Sequence, residues 1–175
     1  MTSDEAEFSA FVADRSGALY RTAYYLTGGD RHAAQDLVQD ALGDAYARWG
    51  SIRDAPAREA FVRRIMVRTA TRRWNRRQRT REVLAAQPPD SLHPGHEDAT
   101  ATSVDLAQAL GLLSARQRAV IVLRYYDDLS EAQIAEALGC STGAVKTHAT
   151  RAIKALNATF GGTTYAPTPS ALEDS

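Results

Sequence analysis

Apolar side chains recur along this chain every three or four residues and alternating strand patterns are nearly absent, which predicts an all-α protein. The first helix, about Asp4 to Thr27, places Phe8, Phe11, Val12, Leu19, Thr22, Ala23 and Leu26 along one stripe. Gly28-Gly29 stops it, and Asp30 suits the cap of the next helix. That second helix runs to about Trp49. Its buried side reads Ala34, Leu37, Val38, Ala41, Leu42, Ala45, Trp49, and its opposite face carries Gln35, Asp36, Gln39, Asp40 and Asp44. Turn residues make Gly50–Pro56 a loop. A third helix, Ala57 to Arg79, has Val62, Ile65, Met66 and Thr69 on its apolar side and Arg64, Arg68, Arg72 and Asn75 along another. Beyond Thr71 basic residues surround this helix, so its end is expected to project past the core with Trp74 among them.

The pattern divides the chain into two small helical domains. Residues 1–81 form a bundle of three to four helices. Residues 82–104, with Pro88-Pro89 and Pro94-Gly95, read as a flexible linker, 105–160 as the second domain and 161–175 as a disordered tail. In the second domain Leu106, Leu110 and Leu113 give a short helix, and Ser114 caps a longer one through Tyr125. Ser130 to Leu156 then has helix-turn-helix spacing: a capping box at Ser130–Gln133, a short helix to Leu138, a turn at Gly139, and a longer helix. Ala135 sits where a small residue lets two helices cross. Ile134, Leu138, Val145, Ile153 and Leu156 make the internal core, leaving Ser141, Thr142, Lys146, Thr147 and Arg151 outward. A helix start with short polar and basic side chains suits backbone and base-edge contacts in a major groove.

Charge sharpens this picture. The chain has 21 Lys+Arg and 21 Asp+Glu, but residues 51–81 alone hold 11 basic and 2 acidic side chains. Residues 82–105 hold five acids and no Lys or Arg. So basic a block in a neutral chain points to a local polyanion contact, with a solvated helix face as the plain alternative. Several classes drop out. No run approaches the roughly 20 apolar residues of a membrane span, and the acidic start Met1–Glu5 lacks a secretory layout. A lone Cys140 supports no disulfide framework, so a cytoplasmic protein without membrane insertion is expected. The His93, His96, Glu97 and Asp98 cluster reads as solvated linker rather than metal site, and no metal or cofactor is expected. There is no phosphate-cradling glycine loop, Cys–His or Ser–His pairing, or convergent carboxylate set, so the chain is not expected to be an enzyme.

Two stretches carry a family resemblance. Asp30 to Leu42 resembles the region-two helix of extracytoplasmic-function (ECF) sigma factors. Leu113 to Tyr126, Leu129 to Ala135 and Gly143 to Thr147 resemble their region four. Among subgroups the likeness is to the actinobacterial SigE family, whose basic helix similarly sets a Trp amid arginines. Arg68 stands where the family usually has Asn, and Ser114 replaces its common Pro. The resemblance covers about residues 5–160 and implies a sigma factor that binds core RNA polymerase and directs promoter-specific transcription initiation. It implies that Asp36, Gln39, Asp40 and Asp44 contact core polymerase, an ordinary solvated face being the alternative. It further implies that loop Gly50–Pro56 holds a flipped minus-10 base beside the DNA-binding Arg64, Arg68, Arg72, Arg73, Trp74, Arg76 and Arg77. Trp74 either stacks on a base or covers the domain edge. The outward side of the last helix, Ser141, Thr142, Lys146, Thr147 and Arg151, would read the minus-35 element. An anti-sigma factor is a candidate further partner, and the two DNA-reading domains would be spaced by core polymerase. One rival is a LuxR-type helix-turn-helix regulator, since Ala144–His148 resembles that helix too; the front half lacks the strand–helix alternation of a receiver domain. Another is a regulatory protein that binds polymerase without reading DNA.

Overall fold

A computed structural model describes residues 2–52, 54–84 and 101–160 of the 175-residue chain, and among them every regular element is helical. Helix α1 spans Ser3–Leu26, started by a reciprocal capping box between Thr2 and Glu5. Helix α2 spans Arg31–Tyr46, and the Asp30 carboxylate accepts from Ala33 N at 2.9 Å, as expected of that cap. It ends before Trp49, which sits in a single 3₁₀ turn, Trp49–Ser51. Trp49 is still core: it is buried, edge-on to Phe8 at 4.9 Å and tilted against Phe11 at 5.0 Å.

Helix α3, Ala55–Leu84, is longer at both ends than the sequence pattern predicts. Asp54 accepts from Ala57 N at 2.8 Å, and Pro56 sits in the first turn, where its missing N–H is harmless. Val62, Met66, Val67, Thr69 and Ala70 are buried, while Ile65 is only half-buried. Helices α1, α2 and α3 therefore close one apolar core.

The second half begins at α4, Ala101–Gly111, inside the stretch read as linker; residues 85–100, with the His93–Asp98 cluster, and the tail from 161 lie outside the described residues. Ser114 and Gln117 make a capping box for α5, Ala115–Ile121. The chain then widens into a π turn over Val122–Tyr126, in which Asp127 N donates to Val122 O at 3.1 Å. Helix α6, Glu131–Leu138, starts at the predicted Ser130–Gln133 box and ends at Gly139, whose φ of 64° is the left-handed cap that favours glycine. Helix α7, Thr142–Thr159, follows, with Ser141 Oγ accepting from Ala144 N at 3.1 Å.

The two halves pack against each other, and their buried side chains form one continuous cluster. Helices α1 and α3 lie against α4, α5 and α6. At one seam the α1–α2 turn meets α4 closely: a Cβ on Gly28 would stand 3.1 Å from Gly111 Cα. Gly28 also has φ 67°, so the position needs glycine for conformation and for space.

Candidate nucleic-acid interface

Helices α6 and α7 cross as a helix-turn-helix. Ile134, Ala135, Leu138, Val145 and Leu156 are buried between them and α5, and Ile153 is half-buried. Ser141, Thr142, Lys146, Thr147 and Arg151 are all exposed along the outer side of α7. Two of them also serve the helix itself: Ser141 caps it, and Thr147 Oγ1 donates to Gly143 O at 3.0 Å. Lys146 Nζ lies 3.6 Å from Glu131, a pair open to solvent and readily exchanged for phosphate.

The arginines of α3 are sorted by neighbour rather than crowded on one end. Arg73 pairs with Asp40 of α2, and Arg77 Nη1 lies 3.3 Å from Asp30. Arg64 reaches Glu136 of α6 at 4.0 Å, and the Arg68 guanidinium lies beside Gly139 at the α6 cap. Arg68, Arg72 and Arg76 are exposed and form no ion pair among the described residues. The expectation that α3 projects past the core beyond Thr71 holds only from about Arg76. Trp74, two residues earlier, is half-buried in the seam because Arg118 of α5 lies 3.6 Å above its ring. The uncovered part of the indole lines a groove of about 450 Å³ with Arg76, Arg77 and Arg81.

Arg118 holds the halves together. It is 1% exposed and has no carboxylate partner among the described residues. Its Nε donates to Leu26 O in the first half at 2.8 Å, and its Nη1 donates to Leu110 O at 3.2 Å and Leu113 O at 3.4 Å in the second. Burial lowers its pKa to about 10, so the guanidinium stays charged at neutral pH, compensated by three carbonyl dipoles and a π face. Sequence reasoning passed over it, although a signal was present: Arg118 falls on the buried stripe of Ala115, Ala119 and Val122.

Asp127, delivered by the π turn, is the second tie. Its carboxylate accepts from Thr22 Oγ1 of α1 at 2.7 Å and from Arg63 Nε of α3 at 3.0 Å. Burial pushes its pKa above the ordinary value, against the opposing hold of Thr22 and Arg63. A carboxyl with a raised folded-state pKa stabilises most when protonated, and that contribution is lost as pH rises through the folded value. Asp127→Asn mimics the protonated form and keeps an acceptor for Thr22. We expect its melting temperature to gain on that of the parent as pH rises from about 4 to 7. A variant that instead falls behind as pH rises would show that the Arg63 pair outweighs burial.

On α2, Asp36, Gln39, Asp40 and Asp44 are exposed together, as the helical spacing implies. Among the described residues only Asp40 of this set forms an ion pair, with Arg73. Among the described residues no three His, Cys, Asp or Glu side chains group to hold a metal, and no helix is long and apolar enough to cross a membrane.

Comparison with known proteins agrees with this two-part layout. Residues 11–80 match the model of sigma-70 region 2, and residues 103–156 match that of sigma-70 region 4. The chain is 39% identical over 153 residues to the RNA polymerase sigma-E factor of Streptomyces coelicolor, covering 86% of this chain and 84% of that protein. It is 34% identical over 161 residues to the ECF RNA polymerase sigma factor SigL of Mycobacterium tuberculosis, covering 90% of each. Among solved structures it resembles the sigma factor RpoE of Bartonella quintana, crystallised with the anti-sigma factor NepR. That match has a TM-score of 0.68 at 26% identity and covers 88% of this chain and 96% of that one. With a region 2 bundle, a region 4 helix-turn-helix and relatives matched along most of their length, the chain belongs to the ECF RNA polymerase sigma factors and resembles their sigma-E members.

Proposed function

We propose that this sigma factor divides its work among three surfaces: α2 docks on core RNA polymerase, α3 holds the minus-10 region, and α7 reads the minus-35 element. The observation that carries the reading is the exposed outer side of α7, polar and basic above an apolar helix-turn-helix core. Ser141, Thr142, Lys146, Thr147 and Arg151 stand where a recognition helix meets phosphates and base edges. Arg64, Arg68, Arg72, Arg73, Trp74, Arg76 and Arg77 bind the promoter strand near the loop before α3. Because Arg118 covers one face of Trp74, and Arg64 and Arg68 face α6, the halves separate before α3 takes up DNA. Core polymerase supplies that separation by binding each half at its own site.

A LuxR-type regulator is not favoured, since the front half matches sigma-70 region 2. We read the protein as a cytoplasmic initiation factor rather than an enzyme, acting without cofactor. An anti-sigma factor is a further partner consistent with the relative solved in such a complex. Run-off transcription with core polymerase over a promoter library tests the whole reading: initiation must depend on the added chain and on both promoter elements.

The docking face has its own test. Asp36 and Asp44 are exposed and form no ion pair among the described residues, so reversing them spares the packing. The double change Asp36→Lys, Asp44→Lys is expected to weaken core binding about tenfold, or about 1.4 kcal/mol, with an unchanged helical signal in circular dichroism. Unchanged affinity would remove this face from the docking surface.

A further inference from the structure

We propose that the cleft between α3 and the α5–α6 edge binds a compact oligophosphate, a chain of three or more linked phosphates, which bridges the two halves and holds them closed. The cleft encloses about 430 Å³. One wall is α3, with Arg68, Arg72, Arg76 and Arg79 spread over about 16 Å of helix. The opposite wall contributes Arg116 from the start of α5. None of these five guanidiniums forms an ion pair among the described residues, whereas Arg63, Arg64, Arg73 and Arg77 of the same α3 helix all have carboxylate partners. The positive field on the α5 side is also felt by His148 of α7, whose pKa is lowered first by burial and then by Arg116 and Arg151.

Five like charges facing a shared space, with no carboxylate lining it among the described residues, define the chemistry of a guest. A guanidinium presents paired N–H donors that match phosphate oxygens. A single phosphate satisfies one or two of them, whereas a linear oligophosphate passes from one arginine of α3 to the next and still reaches Arg116. Asn75 in the same wall adds a neutral donor. Because the walls come from different halves, the guest binds the closed form and not the separated one. By linkage it favours closure and opposes uptake by core polymerase.

The binding test needs no polymerase, so its failure is separate from any failure of the promoter reading. The full chain is titrated calorimetrically with inorganic tripolyphosphate and with monophosphate, at fixed ionic strength and without divalent cations. Tripolyphosphate is expected to bind at least tenfold more tightly than monophosphate and to raise the melting temperature. Arg116→Gln and Arg72→Gln are each expected to weaken it at least tenfold. Equal affinity for the two anions would reduce the effect to charge screening and overturn the proposal. So would an Arg116→Gln variant that binds tripolyphosphate as the parent does, because α3 alone would then hold the anion. Single-stranded DNA that displaces tripolyphosphate equally well from parent and Arg116→Gln chains would likewise assign the arginines to the promoter strand alone.

Discussion

Replacing Arg118 by alanine is expected to cost about 3 kcal/mol of stability, the low end of what truncating a large buried side chain removes. For a chain of this size that lowers the melting temperature by about 6–12 °C. The carbonyls of Leu26, Leu110 and Leu113 lose their donor, and a void opens beside Trp74. Arg118→Met restores much of the volume but none of the hydrogen bonds, so it should recover only part of the loss. Arg118→Lys keeps the charge but lacks the planar fork that stacks on an indole while donating to several carbonyls. Because Leu110 and Leu113 belong to the second half, some of this cost is internal to it. Trp74→Ala removes the α3 side of the contact together with packing beside Gly28 in the first half, so neither single variant isolates the seam. A double-mutant cycle between the two positions should give a coupling of about 2 kcal/mol, as for a desolvated cation–π pair. Single variants that simply add would remove Arg118 and Trp74 from the list of ties between the halves. If the seam must open for promoter binding, Trp74→Ala also lowers the cost of opening, and small-angle scattering should show a larger radius of gyration.

The same residue shows where sequence reasoning reached and where it stopped. Local signals were legible because their physics is local. Asp30, Ser114 and Ser130 cap helices through their own next turn, and Gly139 takes a left-handed cap that few other residues tolerate. The buried stripes of α2 and α7 follow from helical spacing alone. What the sequence could not show is which stripe meets which. Arg118 falls on an apolar stripe, a visible anomaly, but its partners Leu26 and Trp74 are remote in the chain. Nothing local marks Asp127, two residues past the expected helix end at Tyr125. It becomes a tie because a π turn, which periodicity does not reveal, brings it to Thr22 and Arg63. The basic helix read as a uniform patch, whereas packing assigned Arg73 and Arg77 to carboxylates of the first half, turned Arg64 toward α6, and left Arg68, Arg72 and Arg76 without an ion pair among the described residues.

That sorting makes the two DNA-facing helices separable by the kind of defect each mutation causes. Arg72 and Arg76 are exposed and form no ion pair among the described residues, so their removal subtracts a phosphate contact without releasing a carboxylate. Each lost contact lowers the slope of log affinity against log salt by about 0.9 on duplex or about 0.7 on a single strand. Arg72→Ala or Arg76→Ala should therefore weaken holoenzyme binding to similar degrees on every promoter and flatten the salt slope. Arg73→Ala and Arg77→Ala should change the slope less, because those side chains are already held by Asp40 and Asp30. On α7, Lys146 and Thr147 lie exposed about one turn before Arg151, within reach of base edges. Losing a base contact there should cost roughly 1–3 kcal/mol on the preferred minus-35 sequence and far less on a mismatched one. The measurement is holoenzyme–promoter affinity for both sets of variants, on matched and mismatched promoters, across a range of salt. If Lys146→Ala and Arg151→Ala weaken all promoters equally, α7 acts as a phosphate clamp, and the reading of sequence must be sought elsewhere in the chain.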